Sequence, residues 1–336
     1  VHPLEIKMKK AKIESAQNES KTGECPTIKL NTGALMPQVG FGTFLAAVGE
    51  AGESVRCALE AGYRHIDCAA VYGNEHEIGK VFSNIFGNPA SGIKREDVFI
   101  TSKLAPANAD PAKVKDALTQ TLKDLQLDFL DLYLIHQPVP VKPNPTYDGK
   151  HRIIGKFLPQ RAVGFGLQDV WRAMEDCQKA GMTKAIGVSN YNAQTLNDLF
   201  MYAKVAPSVL QIERHPYLAQ TEIVDFCKAN GVAITNYAPL GAPGLYGAGQ
   251  TDPLLSNATI VELSKKYGKT PAQVLIRWGV DTDTIVIPKS VKPHRIAENF
   301  NVLDFKLAQE DLTSLAALDN RGRSFMQDWM GVPTFY

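Results

Sequence analysis

Eight times along this chain a short apolar run gives way to a helical pattern. The runs lie near residues 39–42, 63–68, 98–103, 129–136, 183–188, 208–212, 232–236 and 284–287. Most are apolar on both faces, as in F-L-D-L-Y-L-I-H at 129–136. A strand buried on both faces belongs to a parallel sheet covered by helices. Between the runs apolar residues return at three- and four-residue steps, as in Ile78, Val81, Phe82 and Ile85. Eight such units predict an α/β fold, a closed (β/α)8 TIM barrel and not an open doubly wound sheet. A β-hairpin is expected ahead of it, where 27–30 and 34–37 flank Asn31-Thr32-Gly33. Asn74-Glu75 opens one helix and Asp110-Pro111 another, which runs to about Leu125. Long loops follow the fourth and seventh runs, at 138–165 and 241–249.

The bulk numbers narrow what such a barrel does. With 336 residues, 44% hydrophobic and 21% charged, residues 27–336 suffice for one barrel domain. Residues 1–26 are rich in Lys, Glu and Ser, contain no apolar stretch, and are expected to be a disordered extension and not a secretory signal. The 36 basic and 35 acidic residues leave a net charge of +1, which points to neither nucleic acid nor a membrane surface. No apolar run reaches the ~18 residues of a membrane span. Five cysteines are scattered singly with no C-x-x-C, as in a reduced, cytoplasmic protein. No H-E-x-x-H occurs, and no metal site is expected. The expectation is a monomer or homodimer acting on a small molecule.

Polar residues gather where the predicted strands end: Asp67, Lys103, His136, Asn190, Gln211, Tyr237 and Lys289. Barrel active sites occupy that face. Tyr72 follows Asp67 by five residues, on a loop. A phenol of pKa about 10 is a poor acid at pH 7, and a neighbouring cation lowers it. Lys103, on the next strand, is that cation, and Asp67 is placed to hold it. His136 can donate a hydrogen bond to a substrate oxygen. Together these groups suit protonation of an oxygen on which negative charge develops, as in carbonyl reduction by hydride.

A hydride donor must then be a cofactor. The usual fingerprints fail. G-F-G-T-F-L at 40–45 lacks the third glycine of a Rossmann loop, and no Y-x-x-x-K, G-x-x-x-x-G-K-[ST] or G-x-S-x-G occurs. Lys289, Ser290 and Arg295, near a helix start, make a phosphate site instead. Glu298 and Asn299 can meet an adenine amine, Ser189, Asn190 and Gln211 a carboxamide, and Tyr237 the flat face of a nicotinamide.

At these residues the chain resembles the aldo-keto reductase superfamily, nearest to its aldose, aldehyde and xylose reductase group. The matching segments are 36–43, 62–75, 100–104, 130–138, 186–191, 210–217, 237–241 and 287–299. The resemblance implies a barrel that binds NADP(H) extended across the strand ends. It implies Tyr72 as proton donor, Lys103 and Asp67 as its tuning pair, and His136 as orienter of the carbonyl. It adds Gly42, Thr43, Leu240 and Val291 to the cofactor contacts, and Phe44 and Gln137 beside His136 to the substrate contacts. The chain also departs from the pattern. Gln137 stands where an aromatic residue follows the histidine, Phe44 where Trp is frequent, and Ala238 where Ser is common. Gln137 is expected at the substrate mouth, where its amide would favour small polyhydroxylated aldehydes. A non-catalytic barrel, channel-associated or structural, and alcohol oxidation as the working direction are the alternatives.

Overall fold

A computed structural model describes residues 25–47, 49–142, 164–243 and 254–325. Two short strands, β1 (Thr27–Lys29) and β2 (Leu35–Pro37), pair antiparallel through a turn in which Gly33 has φ +88°. Eight parallel strands follow: β3 (Phe41–Gly42), β4 (His65–Asp67), β5 (Phe99–Leu104), β6 (Leu130–Ile135), β7 (Thr183–Ser189), β8 (Val209–Glu213), β9 (Ala233–Tyr237) and β10 (Ile285–Val286). Each pairs with the next in chain order. The first and last also meet: Val286 N donates to Gln38 O at 2.7 Å, Gly40 N to Val286 O at 2.8 Å, and Gly42 N to Pro288 O at 3.0 Å. The sheet is therefore a closed (β/α)8 barrel, with no unpaired edge.

Ten helices lie among the described residues. They are α1 (Glu50–Glu60), α2 (Glu75–Phe86), α3 (Val114–Leu125), α4 (Leu167–Lys179), α5 (Ala193–Tyr202), α6 (Thr221–Ala229), α7 (Ala258–Tyr267), α8 (Pro271–Asp281), α9 (Pro293–Phe300) and α10 (Gln309–Ala316). Local chemistry sets several starts. Thr270 and Gln273 cap one another's backbone at α8, with Pro271 in the first turn. One expectation shifts. Asp110-Pro111 belongs to a turn ahead of α3, where the Asp110 carboxylate accepts from Ala112 N. Asn74-Glu75 opens α2 as expected, with Asn74 at the N-cap position and its side-chain amide donating to Thr43 O at 2.9 Å. Helix α7 packs against α8, and α10 against α7, over a separate apolar cluster of Ile260, Leu263, Leu275, Trp278 and Leu315.

The period-two alternation of strands decides which side chains enter the barrel. On β6, Tyr133 and Ile135 join the cluster beneath the helices, while Leu132 and Leu134 join Phe99, Ala185, Val209 and Ile285 in a second cluster. Leu30 and Met36 of the hairpin belong to that second cluster and plug the N-terminal end. On β5, the parity that directs Phe99 inward also directs Thr101 and Lys103 inward, so the lysine arrives at the opposite, C-terminal end. Among the described residues no helix is long and apolar enough to cross a membrane.

The helix ring is packed to backbone contact at one point. A Cβ on Gly79 of α2 would lie 2.0 Å from Asp124 O and 2.8 Å from Leu125 C of α3. Neither neighbour is a side chain that can swing away. Gly79→Ala is therefore expected to destabilise the fold by ~1–3 kcal/mol through overpacking, despite alanine's better helix propensity. A urea titration followed by far-UV circular dichroism checks this, and an unchanged or raised midpoint refutes it.

Candidate active site

The strands deliver the expected polar groups to one end of the barrel. Asp67 ends β4 and Lys103 lies near the end of β5, two side chains whose Cα neighbours in register are Gly42 and Leu134 respectively. Lys103 is fully buried and Asp67 is 2% exposed. The ammonium donates to Asp67 Oδ1 at 2.5 Å, to Cys68 O at 2.9 Å and to the Tyr72 hydroxyl at 3.3 Å. Its three protons thus have three acceptors. Tyr72 reaches it because Ala70–Tyr72 form a 3-10 turn, closed by Gly73 at φ +67°, that brings the ring back over the strand ends.

The other face of Asp67 is also held. Its Oδ2 accepts from Gln211 Nε2 at 2.7 Å, and its backbone carbonyl accepts from Thr43 Oγ1 at 2.8 Å. From Gln211 a polar chain continues: Ser189 Oγ donates to Gln211 O at 3.0 Å, Asn190 Nδ2 to Ser189 Oγ at 3.1 Å and to His136 O at 2.9 Å, and Tyr237 OH to Asn190 Oδ1 at 2.8 Å. Asn190 adopts φ +63°, a left-handed conformation that asparagine tolerates better than most residues, and this turns its amide back across the barrel end. His136 stands just beyond β6, its ring 5.8 Å from that of Tyr72, and Phe44 lies 4.9 Å from Tyr72 on another side.

These surroundings set protonation states. Burial works against the Lys103 ammonium, but Asp67 and Tyr72 outweigh it and hold the pKa above the ordinary value. Burial, reinforced by Lys103, keeps His136 well below its ordinary range, so the ring is neutral at pH 7. Its Nδ1 has no hydrogen-bond partner among the described residues. Tyr72 departs from expectation. Lys103 pulls its pKa down as the sequence suggests, but burial is the larger effect and the hydroxyl is pushed up to about 12. The phenol is therefore fully protonated at neutral pH.

A second group of expected residues surrounds β10 and α9. Lys289 donates to Leu45 O at 2.9 Å, which ties the β10 exit to the loop after β3. Ser290 Oγ accepts from Lys292 N, Val291 is half-buried, and Arg295 is exposed on the first turns of α9. Glu298 accepts from Thr270 Oγ1 at 2.9 Å, and Asn299 is buried. Gly42 sits where a Cβ would come within 2.9 Å of Ile287 O, so the close approach of β3 to the β10 exit needs glycine there. Leu240 is half-buried near the end of the Tyr237 segment. Gln137 is buried, and its Oε1 has no partner among the described residues. Most of the two long loops lies outside the described residues.

The two groups fit a dinucleotide. Lys289, Ser290 and Arg295 flank the start of α9, and a helix N-terminus suits an anionic group such as a phosphate. At the other end the half-exposed Tyr237 donates to Asn190, and the polar chain from Asn190 through Ser189 and Gln211 leads to Asp67. Three features here escape sequence reasoning. Gln211 grips Asp67 across 144 positions, the Cys68 carbonyl accepts a hydrogen bond from Lys103, and Phe325 of the tail packs edge-on against Tyr237 at 5.4 Å. No spacing in the chain signals any of them.

A (β/α)8 barrel with a buried Lys–Asp–Tyr cluster at the C-terminal ends of its strands defines a class of oxidoreductase. The chain belongs to the aldo/keto reductase family, whose sequence model matches residues 39–320. It is 44% identical over 298 residues to aldo-keto reductase family 1 member A1 of Xenopus tropicalis, covering 88% of this chain and 89% of the relative. It is 41% identical to aldo-keto reductase family 4 member C11 of Arabidopsis thaliana, covering 89% and 92%. A solved structure of an aldose reductase from Schistosoma japonicum superposes with a TM-score of 0.82 at 38% identity, over 91% of this chain and 96% of the other. The class of reaction is thus carbonyl oxidoreduction.

Breaking the central ion pair tests its weight. Lys103→Met leaves Asp67 buried without its cation, and a buried pair that loses one member costs ~3–5 kcal/mol. Chemical denaturation of the variant is expected to show a loss of that size. A loss below about 1 kcal/mol, the range of exposed pairs, would mean that the Lys103–Asp67 pair carries no more weight than a surface one.

Proposed function

We propose that the chain is an NADP(H)-dependent reductase of aldehydes and ketones, aldoses or other small carbonyl compounds among them, with Tyr72 as the general acid. The observation that carries this reading is the buried ammonium of Lys103, which bridges Asp67 and the Tyr72 hydroxyl beside a neutral histidine. When bound, the dinucleotide supplies the hydride. The chain's own groups handle the oxygen. His136, uncharged, donates one N–H to the carbonyl and orients it. Tyr72 delivers its proton as charge builds on that oxygen. Lys103 then stabilises the phenolate left behind, and Asp67 fixes the ammonium in place.

Ser189, Asn190 and Gln211 would orient the nicotinamide amide, with the ring on Tyr237, between the barrel segments that carry Gly42, Thr43 and Leu240. Lys289, Ser290, Val291 and Arg295 would take the 2′-phosphate region, and Glu298 with the buried Asn299 the adenine. The names of the frog relative and of the Schistosoma aldose reductase support an aldehyde or aldose substrate. Phe44, His136 and Gln137 are the residues proposed to contact it.

Two measurements test this reading. Tyr72→Phe removes the proton and nothing assigned to the cofactor. Its kcat is expected to fall by ~10²–10⁴-fold, the span of general acid catalysis, while fluorescence titration gives an NADPH affinity like the parent's. A Phe variant with near-normal kcat would remove Tyr72 from the role. Arg295→Ala should cut the preference for NADPH over NADH by roughly 10- to 100-fold, from one charge-assisted hydrogen bond. Kd values for both nucleotides decide it, and an unchanged ratio refutes the phosphate assignment.

A further inference from the structure

Two positions beyond Gln211 on β8, Glu213 is completely buried, and His215, next but one, is 1% exposed. A carboxylate without any solvent must have donors from the protein. Glu213 has three. His215 Nε2 lies 3.0 Å from Oε1, Ser324 N donates to Oε1 at 2.6 Å, and Phe325 N donates to Oε2 at 2.9 Å. Burial opposes the charge, but His215 and the two backbone amides outweigh it and hold the carboxyl below the usual range. With Glu213 ionised, His215 must carry its proton on Nε2, and its Nδ1 has no partner among the described residues. A further tie runs from Ser324 Oγ to Gly241 O at 3.1 Å, and Gly322 N donates to Tyr217 O at 2.9 Å just before it.

Both amides that Glu213 captures belong to the chain's tail, far outside the strands. Their capture places the Phe325 ring. It meets Tyr237 edge-on, at 5.4 Å and 87° between planes, and lies 6.2 Å from Phe44, which in turn lies 4.9 Å from Tyr72. Phe325 therefore spans the gap between the tyrosine proposed to carry the nicotinamide and the aromatic group beside the proposed acid.

We propose that Glu213, oriented by His215, is a positioning residue that clamps the tail so that Phe325 forms an apolar roof over the site and selects carbonyl compounds with aromatic or other flat apolar substituents. This rests on the reductase reading for its substrate consequence but not for the clamp itself. Glutamine cannot replace the carboxylate. It has one acceptor oxygen for three donors, and its own N–H₂ would face a backbone N–H.

The test compares Glu213→Gln, Ser324→Pro, Phe325→Ala and the Glu213→Gln/Phe325→Ala double variant with the parent, after thermal melts establish which are folded. Ser324→Pro removes one captured amide from the tail side, so it decides the matter if Glu213→Gln does not fold. Hydrogen exchange of the apo protein reads the clamp directly. The Phe325 amide is expected to exchange at least about tenfold faster in Glu213→Gln and Ser324→Pro, as loss of a hydrogen bond to a charged acceptor implies. Steady-state kinetics with benzaldehyde and glyceraldehyde read the consequence. All three single variants are expected to raise KM for benzaldehyde severalfold relative to glyceraldehyde, mainly in KM and not in kcat. The double variant should shift that ratio no further than Phe325→Ala alone, because Glu213 acts through the ring. Unchanged exchange and an unchanged ratio in the folded variants would overturn the proposal, as would additive shifts in the double variant. A parent that reduces neither aldehyde would sink the reductase reading, and exchange would still decide the clamp.

Discussion

A single ammonium organises the functional end of this barrel. Lys103 is fully enclosed, and a lone charge there would be neutralised or expelled. It remains charged because Asp67, the Cys68 carbonyl and the Tyr72 hydroxyl each accept a hydrogen bond from it. Those three groups come from one strand end and the turn that follows it, so the lysine fixes that turn as well as the phenol. The dependence also runs outward. Asp67 is held by Gln211, Gln211 O by Ser189, Ser189 by Asn190, and Asn190 by Tyr237. A change at the ion pair is therefore felt at the surface proposed for the nicotinamide.

Barrel closure makes this possible. Asp67 and Lys103 are neighbours on adjacent strands, but Gln211 comes from β8, four strands beyond β4 along the sheet. Only a sheet curled until β10 meets β3 brings β8 across from β4. The period-two alternation then matters as much as the register. Shifting β5 by one residue would send Lys103 among the helices and Ser102 into the barrel. Ser102, on the outward parity, donates to the buried carboxyl of Glu75, whose pKa burial pushes up to about 7. Even the outward face beside the ion pair is thus committed to a second buried acid.

The electrostatics also correct a simple picture of the acid. A cation beside a phenol lowers its pKa, and Lys103 does act in that direction, but burial of Tyr72 is the larger effect. The contribution of Lys103 is then to the product side of the proton transfer. It makes a buried phenolate tolerable once the proton has gone, and it leaves the resting hydroxyl protonated. The neutral state of His136 follows from the same burial and from the same neighbouring charge.

Much of this protein is legible in its sequence. The eight apolar runs, the hairpin and all ten helices can be placed from periodicity, since each depends on a local pattern of burial. The residues at strand ends can be named for the same reason, because a polar residue closing an apolar strand marks itself. What is decided only by tertiary structure depends on distance across the barrel and on competition between partners. Asp110-Pro111 reads as a helix start but forms a turn ahead of it. Gln137 reads as a rim residue but is buried. Gln211 with Asp67, and Glu213 with the tail, join positions 144 and 111 residues apart, and no local pattern encodes such a pair. Local sequence determines which side chains a strand offers and to which face. Closure of the barrel determines which of them meet, and burial then sets their charge.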